Sequence, residues 1–190
     1  MVILHGWTNR RPEGHWQRNL AAALRQQGHQ VFYPQLPSTD HPRFADWAEV
    51  ALGELSLARE ANRGEEIIVI AHSLGSVTWL KLVEQGLIDT PISRALLVAP
   101  ADPDLLLDIA DFVIEPASID ASKGAVSTLV VGSDEDHWSP KGVETTFSNP
   151  LGVPAVIIPG AKHFALSDGF GEWAGVINWV NDPASDLSVR

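Results

Sequence analysis

The chain has 190 residues, 45% hydrophobic and 19% charged, which suits one globular domain with a real core and gives no reason to assume two. Acidic residues outnumber basic ones 24 to 13, and the resulting formal charge of -11 argues against nucleic-acid binding and against a polybasic membrane anchor. With no cysteine, disulfides, thiolate metal sites and a cysteine nucleophile are excluded.

Read from the start, Met1 to Leu4 is a short apolar run expected to form a strand. It passes straight into His5-Gly6-Trp7 with no basic and apolar leader, so a cytoplasmic location is the expectation. His15 to Gln27 sets Trp16, Leu20 and Leu24 four apart, a helix stopped by Gly28. Val31 to Tyr33 reads as a second strand, and Pro34 to Pro42 as a surface loop. The helical period returns over Arg43 to Glu60 through Phe44, Trp47, Ala51 and Leu55. Ile67 to Ala71, opening on four β-branched residues in a row, reads as a strand, followed by a helix over Leu74 to Gln85 that carries Val77, Leu80 and Val83. Ala95 to Ala99, Ser127 to Gly132 and Pro154 to Pro159 complete six predicted strands, with loops at Pro100 to Asp104 and Asp134 to Pro140. A last apolar stripe runs through Trp173, Val176, Ile177 and Val180, before a polar tail expected to be frayed. The division expected is one domain over residues 1–181 and a tail over 182–190. Continuous apolar strands alternating with amphipathic helices imply a mainly parallel sheet covered on both faces, a three-layer α/β/α sandwich.

Ser73 lies where the strand Ile67 to Ala71 gives way to a helix, with the small residues Ala71 and Gly75 two positions to either side. A sharp strand-to-helix turn needs small neighbours there, and it holds a serine hydroxyl out as a nucleophile. The alternative is a serine that caps the helix. A nucleophilic serine needs a base and an orienting acid, which in this kind of turn follow in the order serine, acid, histidine. His163, in a loop after the last predicted strand, fits the base. His15, His29 and His41 lie upstream and read as solvated or structural, and His72 is expected to point away from the serine side chain. For the acid, Asp136 is favoured in the loop after Gly132, with Asp134 as runner-up and Asp102 and Asp104 behind them. An oxyanion would be held by the N–H groups of Leu74 and Trp7, the latter in a loop opened by Gly6 and buttressed by His5. His5, Gly6, Trp7 and Trp138 are the candidate substrate contacts.

The segments HGW, AHSLG, GSDEDHWSP and KHF, in this order, resemble the small α/β-hydrolase family named for retinoblastoma-binding protein nine and the bacterial YdeN protein. The resemblance spans Val2 to about Val180. It implies a compact serine hydrolase with a six-stranded, mainly parallel sheet and no large cap domain. The family's nucleophile falls on Ser73, and its histidine on His163 within Gly160 to Phe164. Its acid, the second of two adjacent aspartates in a G-S-x-D-D-P pattern, falls on Asp136 in Gly132-Ser133-Asp134-Glu135-Asp136-His137; the proline is missing here.

These observations lead to the expectation of an enzyme that cleaves a small carboxylic ester, with amides and thioesters as alternatives, through a Ser73–His163–Asp136 triad and an acyl-enzyme. No metal or cofactor is expected, and the partner would be the small-molecule substrate rather than nucleic acid or membrane. A protein-binding module on the same scaffold is the competing expectation.

Overall fold

The apolar runs become strands wherever a neighbour can pair with them. The computed structural model describes residues 1–62 and 64–190. Five strands, β1 (Val2–Leu4), β2 (Ile68–His72), β3 (Ile92–Val98), β4 (Ala125–Gly132) and β5 (Ala155–Ile157), are all parallel and lie in the order β1-β2-β3-β4-β5. Parallel neighbours need crossovers, and helices supply most of them. The helices α1 (Trp16–Gln26) and α2 (Phe44–Ala61) lie between β1 and β2, and α3 (Leu74–Glu84) follows β2. A π-helical turn, Glu144–Ser148, runs into the single turn α4 (Asn149–Leu151), and α5 (Ala174–Asn181) closes the chain.

The period of two along each strand divides the core into two layers. From β2, Val69 and Ala71 pack with Trp47, Ala51 and Leu55 of α2 and with Val77 and Leu80 of α3. Ile68 and Ile70 face the other way, towards Trp16, Leu20 and Leu24 of α1 and Val176 and Val180 of α5. The result is the three-layer α/β/α sandwich expected from the sequence, and among the described residues there is no cap domain.

The sheet has five strands rather than six. Val31 to Tyr33 reaches the β1 edge but makes a single bridge, Val2 to Phe32, with two flanking hydrogen bonds, Ile3 N–H to Phe32 O (2.8 Å) and Phe32 N–H to Met1 O (2.9 Å). Pro34 follows at once and has no N–H to extend the ladder. Between β3 and β4 the backbone winds through four 3-10 turns from Pro103 to Lys123.

The tail is anchored rather than frayed. Leu187 is buried, its carbonyl accepts the Trp173 indole N–H (2.7 Å), and Gly175 N–H donates to Val189 O (2.8 Å). Gly175 permits this approach, since a Cβ there would lie 2.7 Å from Leu187 O. At the end of the sheet where strands begin, the buried Arg94 guanidinium donates to the carbonyls of Trp179 and Val180 and to Glu66. It thereby caps the C-terminus of α5. Among the described residues no helix is long and apolar enough to cross a membrane.

Candidate active site

Register brings the site together. Leu4 pairs with Ala71, so β1 and β2 end level with each other and the loops that leave them, at His5 and at Ser73, start side by side. Likewise Gly132 pairs with Ile157, which releases the loops carrying Asp136 and His163 from neighbouring positions. All four loops leave the C-terminal ends of the strands, where an open parallel sheet places its ligands.

Ser73 sits at the turn with φ 54° and ψ -124°, a conformation that L residues avoid and that points its side chain off the end of the sheet. Three features hold it there. Its N–H donates to Val98 O (2.9 Å), its C=O accepts from Ser76 N–H (2.9 Å), and the neighbouring glycines are required by contact. A Cβ on Gly75 would come within 2.7 Å of the carbonyl oxygens of Leu4 and His5, and one on Gly6 would lie 2.8 Å from Ser73 Cβ. Small residues at these positions therefore let β1, its loop and the serine turn pack against one another.

Ser73 Oγ lies 2.8 Å from His163 Nε2, and His163 Nδ1 lies 2.9 Å from both carboxylate oxygens of Asp136. A carboxylate can only accept, so the imidazole carries its proton on Nδ1 and presents a bare Nε2 to the serine hydroxyl. All three side chains are buried, Asp136 at 4% exposed. Asp136 also accepts from Trp138 N–H (2.9 Å), which ties it to its own loop. The runner-up Asp134 does not reach the imidazole. Its carboxylate accepts from Gly160 N–H (2.8 Å), while Ser133 Oγ accepts from Lys162 N–H (2.9 Å), so both fasten the histidine loop to the acid loop. Asp102 is buried too, but its carboxylate faces Asp104 N–H and the Lys141 ammonium.

His5 stands behind the loop and is not among the residues that line the cavity. It is fully buried, its Nδ1–H donates to Gly6 O (2.9 Å), and its Nε2 accepts from Leu36 N–H (2.9 Å). Burial pushes its pKa down to about 4, which keeps the ring neutral and the hydrogen-bond pattern fixed. In a trans peptide C=O and N–H point in opposite directions, so anchoring the Gly6 carbonyl turns the Trp7 N–H away from the His5 ring. Neither the Trp7 N–H nor the Leu74 N–H has an acceptor among the described residues. Leu74 is the first residue of α3, where the helix dipole favours negative charge.

Ser73, Leu74 and His163 line a cavity of about 500 Å³. Gly6, Trp7 and Trp138 line it as expected; the two indoles meet at 6.1 Å between centroids with a 58° tilt, forming an angled apolar wall. Sequence reasoning missed Ala101, Leu106, Leu166 and His15 in the lining. His15 could have been found as the residue before α1, where its Nδ1 accepts from Gln17 N–H (3.2 Å). A larger recess of about 650 Å³ lies at the opposite end of the sheet, around His29, Glu66 and Arg94, and among the described residues no serine, threonine or tyrosine lines it. Among the described residues no cluster of three or more His, Cys, Asp or Glu side chains is placed to hold a metal ion.

A profile of serine hydrolases matches residues 1–182. The chain belongs to the serine hydrolase family. Among solved structures, this serine hydrolase is similar to the ydeN gene product from B. subtilis, with a TM-score of 0.75 and 22% identity over 95% of each chain. A YdeN-like hydrolase from Pectobacterium atrosepticum follows, with a TM-score of 0.72 and 24% identity over 95% of this chain and 87% of that one. Est1E from Butyrivibrio proteoclasticus gives 0.68 at 16% identity, over 95% and 88%. At these identities the likeness establishes the shared α/β-hydrolase fold. No curated protein matches the chain in sequence.

Proposed function

We propose that this serine hydrolase cleaves small carboxylic esters through a catalytic triad of Ser73, His163 and Asp136. The observation that carries the reading is the unbroken run of hydrogen bonds from Asp136 through His163 to Ser73 Oγ, opening on a cavity with two unengaged backbone N–H groups.

In this mechanism His163 Nε2 takes the Ser73 proton as Oγ attacks the ester carbonyl. Asp136 fixes the imidazole in the Nδ1–H form and stabilises it as a cation. The negative charge that develops on the carbonyl oxygen is met by the N–H groups of Trp7 and Leu74; a single donor of this kind contributes about 10²–10³-fold in rate. His163 then returns its proton to the leaving alcohol, and a water molecule, activated in the same way, releases the acid from the acyl-enzyme. The Trp7 and Trp138 wall receives an apolar acyl or aryl group. Without a cap the cavity is open to solvent, which suits small or extended substrates. Every step is carried by residues of the chain. Residues 1–181 are read as one hydrolase domain.

The test is fluorophosphonate labelling of wild type, Ser73→Ala and His163→Ala, with mass spectrometry to locate the adduct, alongside hydrolysis of p-nitrophenyl acetate. An adduct on Ser73 that depends on His163, with ester turnover, is expected. A folded wild type that neither labels nor turns over ester would refute the reading and favour a protein-binding role for the scaffold.

A further inference from the structure

His72 precedes the nucleophile and takes no part in the mechanism above, yet its ring lies against that of His163, 5.1 Å between centroids. It is buried at the end of β2, and its Nε2 lies 2.8 Å from the backbone oxygen of His163, 91 residues away in sequence. A carbonyl only accepts, so His72 must carry its proton on Nε2. Its Nδ1 is then a bare lone pair, and that nitrogen is buried with no hydrogen-bond partner. The other tautomer would leave a buried N–H unpaired on Nδ1 and set a bare nitrogen against the His163 carbonyl, so the surroundings favour the neutral Nε2–H form.

The loop that receives this bond is under strain. Lys162 and Phe164, on either side of His163, have φ of 51° and 56°, the left-handed region that non-glycine residues avoid. Such a conformation persists only where neighbouring contacts over-determine it. Lys162 N–H is held by Ser133, and Phe164 N–H by the Ala161 carbonyl (3.2 Å). For the His163 carbonyl itself, the His72 Nε2–H is the single donor among the described residues. The His72 ring is in turn wedged by Trp16, edge-on at 5.7 Å, and by His15 at 5.8 Å.

We infer that His72 is a positioning residue: its Nε2–H grips the His163 backbone, so that the strand bearing the nucleophile also sets the distance to the base. The link is direct, because His72 and Ser73 are consecutive residues. Any movement of the turn carries the His163 backbone with it, and the Oγ to Nε2 separation is kept. The inference rests on the proposed role of His163 as base.

Two variants separate the donor from the bulk of the ring. His72→Phe keeps an aromatic ring without the N–H, and His72→Gln offers an amide N–H near the position of Nε2. With p-nitrophenyl acetate, His72→Phe should lower kcat by about 10- to 100-fold and leave KM within about twofold, as expected when reacting atoms shift by a fraction of an ångström to an ångström. His72→Gln should recover kcat to within about fivefold of wild type. In wild type itself, long-range proton–nitrogen correlation spectra should show His72 as the Nε2–H tautomer, a measurement independent of whether either variant folds. A kcat for His72→Phe within about threefold of wild type, no recovery in His72→Gln, or a proton on His72 Nδ1 would each overturn the inference while leaving the triad in place. A wild type without esterase activity or a Ser73 adduct would instead remove the reading on which it rests.

Discussion

Gly6→Ala probes the packing that joins the proposed oxyanion loop to the Ser73 turn. The added methyl would lie 2.8 Å from Ser73 Cβ and 3.3 Å from both Ser73 Oγ and His72 O. Carbon atoms settle at about 3.5–4.0 Å, so the loop or the serine turn must yield by roughly 0.7–1.2 Å. Gly6 is not among the residues with positive φ, so alanine is free of backbone strain and the effect is one of contact alone. A shift of this size at the reacting atoms is expected to lower kcat about 100-fold, and the overpacking to cost about 1–3 kcal/mol of stability. The assay is p-nitrophenyl acetate hydrolysis with urea unfolding, on wild type, Gly6→Ala, Ser73→Gly and the double variant. Ser73→Gly removes the clashing Cβ and relieves the positive φ, so it should be inactive yet at least as stable as wild type. In that background Gly6→Ala should lose less than about half the stability it loses alone. An equal loss in both backgrounds, or a Gly6→Ala kcat within about threefold of wild type, would show that the Cβ contact does not govern the loop.

Three further outcomes are expected. Asp136→Asn should lower kcat by about 10³–10⁴-fold, because an amide can donate to Nδ1 and so favours the wrong imidazole tautomer; a loss below about tenfold would count against Asp136 as the acid. Stability should fall on acidification. Burial holds His5 and His15 down at about 4 and His72 well below its ordinary value, so between that range and about pH 6.5 the unfolded chain binds more protons than the folded one. Stability is then fully present above about pH 6.5 and drains away towards pH 4. From His5 and His15 the loss between pH 7 and pH 5 is about 4 kcal/mol, and a flat urea-unfolding profile over that range would contradict the neutral, buried rings. Arg94→Leu should destabilise by about 2–4 kcal/mol in urea unfolding, since the Trp179 and Val180 carbonyls lose a charged donor, while kcat per folded molecule stays unchanged.

The parts of the fold legible in the sequence were those set by local pattern. The helices α1, α2 and α3 matched their apolar spacing to within a residue or two, because a 3.6-residue stripe over 11 or 18 residues leaves little choice. The Ser73 turn was legible because its steric demand is met within five residues. Chain order points to His163 and leaves Asp136 ahead of Asp134, and the family resemblance favours Asp136; in the structure Asp136 meets His163 Nδ1 and His163 Nε2 meets Ser73 Oγ. What escaped depended on distant partners. The Val31 to Tyr33 segment looks like a strand, but whether it pairs depends on β1, which offers it one bridge. The 3-10 turns of 103–123 follow neither a period of 2 nor one of 3.6. The tail looked frayed because nothing in DPASDLSVR announces that Leu187 will be buried against Trp173. His5 reads in the sequence both as a buttress of the Gly6 loop and as a substrate contact; its bond to Gly6 O fits the first, and its second partner, Leu36 N–H, is 31 residues away.

The parallel order of the sheet has a consequence for how the molecule can change. Each strand discharges its chain towards the cavity and receives it back at the opposite end, where Arg94 clasps α5. The cavity and the Arg94 clasp on α5 thus occupy opposite poles, separated by the length of the strands. Residues near Ala101 and Leu106, and near Leu166, border the cavity without belonging to the triad or to the histidine fastenings. These two patches form a terrain that selection, or a laboratory library, can reshape to admit new acyl groups while the clasp at the far pole goes on holding the layers together.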